Sequence, residues 1–69
     1  MEIMELTKRF TYHAPKGDQP RRYEEIRASA KTLAMGIDLA CPESREKSIA
    51  MTKLEEAVMW ANASIARNE

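Results

Sequence analysis

Tyr12, His13, Lys16, Arg27 and Lys31 are the residues of this chain whose types could do chemistry: an aromatic turn, Phe10-Thr11-Tyr12-His13, followed by cations. A ring on a loop is the usual platform for a nucleobase, worth roughly 1–3 kcal/mol per base stacked. A lysine ammonium is a strong point-charge partner for phosphate. Together these residues have the makeup of a small nucleotide site. Each also has a plainer reading: Tyr12 as a lid over the core, and Arg27 with Lys31 as a solvated helix flank. The two cations stand four residues apart, where like charges on a helix repel by a few tenths of a kcal/mol. They therefore call for an acidic neighbour or an anionic ligand. Glu24 is within a turn of Arg27, whereas Lys31 has Met35 one turn on and no acid.

Signals for catalysis are missing. No nucleophile pairs with a base, and there is no Gly-rich phosphate loop or paired-carboxylate spacing. Glu55 and Glu56 read as exposed charges, and His13 with the single Cys41 does not make a set of zinc ligands. The sequence reads as a binding protein with no metal or cofactor.

The elements that must position these residues are helices. Met1 to Lys8 reads as a short helix or an arm, since Ile3, Met4 and Leu6 give too few periods to decide. Arg9 to Asp18 is a connector marked by Pro15 and Gly17. Asp18 stands where an N-cap belongs, and Pro20 fits the first turn, where its missing N–H costs nothing. From there Tyr23, Ile26, Ala30, Leu33, Ile37 and Ala40 recur at spacings of three and four, one face of a helix. Cys41-Pro42 ends it, because a residue before proline is pushed out of the helical region. Pro42-Glu43-Ser44 opens a second helix with the stripe Met51, Leu54, Val58, Ala61 and Ile65. The expected layout is one all-α domain: arm and loop over 1–18, a first helix over 19–41, a second over 43–67. It forms an antiparallel two-helix hairpin.

A chain of 69 residues buries only about 60% of the surface its unfolded form exposes, so its own core is marginal. Small scaffolds are reinforced by disulfides, metals or association, and one cysteine leaves association. At 100° per residue Ile49, Met59, Trp60 and Ala63 fall on the side of the second helix away from Leu54 and Ile65. A second apolar face is left over. It packs against the N-terminal arm or, since a hairpin has no third layer, against other copies of the chain; a homo-oligomer is expected. In a different class of function, Met59 and Trp60 would dock this small helical chain on a partner protein.

Eleven basic and eleven acidic residues cancel, which disfavours binding of long nucleic acid through bulk charge. Lys8 to Lys31 nevertheless holds seven Lys/Arg against three Asp/Glu, and Thr32 to Glu69 four against six. Positive charge is gathered where the aromatic turn lies. No apolar run approaches a membrane span and Met1 to Phe10 has no signal-peptide core, so a soluble protein of a reducing compartment is expected.

Several segments match a known pattern. Thr11-Tyr12-His13 stands where a Gly-Tyr-Arg turn is found, and Lys31-Thr32-Leu33-Ala34 where a helix carries Lys-x-Leu-Gly/Ala. Ser48-Ile49-Ala50-Met51-Thr52-Lys53-Leu54 follows Ser-Ile-Gly-x-Thr-x-Leu. Val58-Met59-Trp60-Ala61-Asn62-Ala63-Ser64-Ile65-Ala66 follows a closing helical segment of small and apolar residues. From Tyr12 to Ala66 the chain resembles the phage hairpin domains of the Acb/Tad type, the anti-CBASS sponges that sequester cyclic-nucleotide signals of bacterial defence.

The resemblance implies an all-helical homo-oligomer, typically a hexamer, in the host bacterial cytoplasm. It implies binding of cyclic dinucleotides such as cGAMP between protomers without cleavage, and in some members of cyclic trinucleotides at separate sites. The base-stacking tyrosine falls on Tyr12 and the phosphate-contacting lysine on Lys31. Shifting the gap at Pro15-Lys16-Gly17-Asp18, which looks like an insertion, puts Arg27 there instead. Arg45 and Thr52 match further polar positions. His13 departs from the pattern, standing where the family has arginine.

Overall fold

The computed structural model describes Met1–Glu69 as three helices and no strands: α1 (Ile3–Phe10), α2 (Gln19–Ala40) and α3 (Arg45–Asn68). The all-α class is as the periodicity requires, and the arm at the N-terminus is helical. Glu2 caps α1, its carboxylate accepting from the Met4 N–H, and Glu5 and Arg9 pair at 3.0 Å one turn apart.

Asp18 occupies the N-cap position of α2 but makes no side-chain cap. Its carboxylate is turned instead to Arg21 and Arg22, at 3.6 and 3.3 Å. Pro20 lies in the first turn as expected, and Gly17 takes the left-handed backbone conformation (φ 58°) that lets the chain enter the helix. Cys41 is extended ahead of Pro42 and still donates its N–H to the Ile37 carbonyl at 3.0 Å. Contrary to expectation, α3 does not start at Pro42-Glu43. Ser44 is the cap: its Oγ accepts from the Lys47 N–H and donates to the Pro42 carbonyl, each at 3.1 Å. Serine places its hydroxyl where the first-turn N–H needs an acceptor, which proline has no side-chain oxygen to supply.

α2 and α3 form the one extended helix contact, and their pairing is antiparallel: Asp38 meets Lys47 at one end and Arg22 meets Glu69 at the other. On α3 the part-buried side carries Met51, Leu54, Val58, Ala61 and Ile65, the anticipated stripe. On α2 it carries Tyr23, Ile26, Ala30, Ala34 and Ile37. Leu33 is 55% exposed and Ala40 is exposed, so these two are corrected to flank positions. The seam is centred on Ala30, turning Ala34 in and Leu33 out; two small residues there let the helix backbones approach.

No apolar side chain is buried. The chain measures 45 × 30 × 12 Å, and its least dimension is about the diameter of a single helix. Its radius of gyration, 15.2 Å, exceeds the roughly 11 Å of a compact chain of this length. The accessible surface of 5539 Å² likewise exceeds the roughly 4,400 Å² expected for a folded monomer of this mass. The helices lie side by side in one layer, with α2 and α1 both against α3, and one layer has no interior.

Candidate functional site

Arg27 and Lys31 line a groove of about 470 Å³ along the hairpin, with Ala30 and Ala34 of α2 and Met51, Leu54, Val58 and Met59 of α3. Both cations are exposed and neither enters any ion pair of the chain; Glu24 does not pair with Arg27. Glu55 is an exposed charge, as expected, and lines the same groove. Two cations against one carboxylate leave the groove positive above an apolar floor. Such a surface suits a flat ligand carrying phosphate: the floor takes apolar area and the cations take charge.

Tyr12 lies in the irregular segment between α1 and α2, 83% exposed, and is not among the residues of that groove. A single chain therefore does not bring Tyr12 and Lys31 together. His13 folds back: its Nε2 is 3.1 Å from the Lys8 carbonyl oxygen. A carbonyl only accepts, so Nε2 carries the proton and donates. The imidazole thereby satisfies an acceptor in the last turn of α1, where carbonyls have no helical partner. Lys16 is likewise engaged, its Nζ donating to the Glu69 carbonyl at 3.0 Å.

Arg45 and Thr52 stand on one face of α3 in a shallower depression with Ser48, Ile49 and Lys53. It contains two cations and two hydroxyls, separate from the Arg27–Lys31 groove. Ile49, Met59 and Trp60 are exposed, so the second apolar face is free of the hairpin; only Ala63 is part-buried. Alongside it α1 sets Lys8, Arg9 and Phe10 across from Trp60 and Arg67.

Two polar clusters escaped the sequence reading, because polar residues in a helical pattern are read as solvated. Lys47 is only 8% exposed and Gln19 only 3%. Lys47 Nζ reaches Glu43 at 2.6 Å, the Asp38 carboxylate at 2.9 Å and the Asp38 carbonyl at 3.0 Å. Hydrogen bonds to Glu43 and then Asp38 raise its pKa. At the opposite end Arg22 forks onto both oxygens of Glu69. Those bonds, followed by one from Gln19, lower the Glu69 carboxyl to about 2. The signal available in sequence was the i,i+4 spacing of Glu43 and Lys47; nothing local marks Gln19 or Glu69.

No helix is long and apolar enough to cross a membrane, and no three acidic, histidine or cysteine side chains are grouped to hold a metal ion. No curated protein and no solved structure matches the chain. The family model described as "Acb2/Tad1, hairpin domain" matches residues 2–66, nearly the whole length, with all of α1 and α2 and most of α3. The chain therefore belongs to the Acb2/Tad1 hairpin-domain family, the anti-CBASS sponges of phages.

Proposed function

We propose that this protein binds cyclic dinucleotide second messengers such as cGAMP and holds them uncleaved, withdrawing the signal that triggers CBASS-type immunity in the bacterial host cytoplasm. Family membership over residues 2–66 carries the reading. Two features of the chain support it: the positive groove of Arg27 and Lys31 with no ion-pair partner, and the exposed ring of Tyr12. A cyclic dinucleotide has two bases and two phosphates related by approximate two-fold symmetry. A site at a two-fold axis between chains presents Tyr12 and Lys31 twice, one set of residues serving both halves of the ligand. Lys31 takes phosphate and Tyr12 stacks a base, with Arg27 as a second cation. His13 supports the loop from the α1 end.

Association supplies the second half of the site and covers Ile49, Met59 and Trp60; a homohexamer is the assembly we assign. Arg45 and Thr52, in their own depression, are the residues for a separate cyclic trinucleotide. The action is stoichiometric, since the chain offers binding groups and no nucleophile–base pair.

Calorimetry with a cyclic dinucleotide tests the assignment. Tyr12→Ala and Lys31→Ala should each abolish measurable binding while the mass of the assembly is unchanged, and heat denaturation of the wild-type complex should return the ligand intact. Full affinity in both variants would overturn the residue assignment. A chain that stays monomeric and binds no cyclic nucleotide would instead favour docking on a host protein through Met59 and Trp60.

A further inference from the structure

The segment carrying Tyr12 has little structure of its own. Ahead of the first turn of α2, its only backbone–backbone hydrogen bond runs from the Gln19 N–H to the Lys16 carbonyl, at 3.0 Å. What returns the contact is a side chain: the Lys16 N–H donates to Gln19 Oε1 at 3.1 Å. The other end of the same amide, Nε2, donates to Glu69 Oε1 at 3.3 Å. Only one orientation of the Gln19 amide satisfies both bonds, because an N–H needs the oxygen and a carboxylate needs the NH₂ group. Glu69 is held in turn by the Arg22 fork, and its carbonyl accepts from Lys16 Nζ at 3.0 Å. Gln19 is the least exposed residue in the protein, and it joins the base of the loop to the far end of α3. Glu69 also lies outside the residues that the family model matches.

We infer that Gln19 and Glu69 are positioning residues for the ligand site: the chain Lys16–Gln19–Glu69–Arg22 pre-orders the loop that presents Tyr12, so ligand affinity depends on two side chains that do not touch the ligand. The inference rests on Tyr12 being a stacking residue, as proposed above. A loop held before binding does not pay its ordering cost during binding. Releasing Glu69 leaves the Gln19 amide free to turn and the Lys16 N–H without its fixed acceptor.

The test compares wild type, Glu69→Leu, Gln19→Leu and the exchange variant Arg22→Glu/Glu69→Arg. Calorimetry with a cyclic dinucleotide is combined with thermal unfolding and with hydrogen exchange at the Lys16 amide in the free protein. Glu69→Leu and Gln19→Leu should each weaken binding by about tenfold, with the loss in the entropy of binding, and should speed exchange at Lys16. The exchange variant is decisive. It restores an ion pair across the hairpin, and so its thermal stability. The guanidinium it introduces on α3 has no acceptor to offer the Gln19 amide, so affinity and Lys16 protection stay low. Recovery of affinity together with stability would reduce the cluster to a hairpin clasp and overturn the inference. So would unchanged Lys16 exchange in Glu69→Leu, a readout that needs no ligand. If the wild type binds no cyclic dinucleotide, the functional reading fails, and the hydrogen exchange still decides whether the loop is held as described.

Discussion

At the residue scale the charged side chains divide into two kinds. Lys47, Arg22 and Glu69 are committed to ion pairs that join helices, whereas Arg27 and Lys31 have none. Commitment shows in acid. The Glu69 carboxyl sits near 2, below its ordinary 4.5, because Arg22 and then Gln19 hold its charged form. A group whose pKa is depressed on folding contributes stability above its unfolded pKa and loses that contribution as pH falls through the folded one. Thermal midpoints should therefore decline between about pH 4.5 and about pH 2. Glu69→Gln should lower the midpoint at neutral pH and remove the part of the acid slope that Glu69 supplies. An undiminished slope in that variant would assign the acid sensitivity to other carboxylates. Gln19 and Glu69 could not have been picked from the sequence, since their importance comes from a contact across 50 residues. Tyr12 and Lys31, the residues proposed to meet the ligand, could be named as candidates there, because a ring in a loop and an unbalanced cation are local properties.

At the scale of elements, α3 shows what a single cap decides. Had the helix begun at Pro42, Glu43 would lie within its first turn; with Ser44 as cap, Glu43 precedes the helix and its carboxylate pairs with Lys47. Ser44→Ala should cost about 1 kcal/mol in chemical denaturation, the ordinary worth of an N-cap, and should leave calorimetric ligand affinity unchanged because the cap is remote from the Tyr12 loop. The helices themselves were legible because apolar residues three and four apart allow no other regular structure. Which of Leu33 and Ala34 turns inward was not. Neighbours in sequence differ by 100° around the axis, and the choice depends on how closely α3 can approach, a property of two helices at once. The start of α3 was ambiguous for a related reason: Pro42, Glu43 and Ser44 are all acceptable near a helix N-terminus, and only the hydroxyl geometry separates them.

At the scale of the molecule, a one-layer protein without a buried apolar side chain is one whose stability should depend on its own concentration if copies of the chain cover its apolar face. Trp60, 65% exposed beside Met59 on the uncovered side of α3, is the place to test this. If association covers that face, the wild-type unfolding temperature should rise with protein concentration, as it does for any chain whose folded form is stabilised by its copies. Trp60→Glu should then bring the mass measured in solution down toward that of one chain, 7.9 kDa, with loss of helical signal on dilution. A concentration-independent midpoint in the wild type would show instead that the single layer stands alone. Association is an expectation drawn from length and a leftover apolar face, and neither a number of copies nor their arrangement is written in one chain's periodicity.

The two polar clusters also have a mechanical role. The seam between them sets small residues of α2, Ala30 and Ala34, beside Met51, Leu54 and Val58 of α3, and a smooth surface on one helix offers weak resistance to sliding along the axis. A slip of one turn would carry Arg27 and Lys31 past Glu55 and change which residues floor the groove. Fastened at Asp38–Lys47 and again at Arg22–Glu69, the hairpin is indexed at both ends like a vernier. Either fastening alone would leave the far end free to creep, and the groove lies between them.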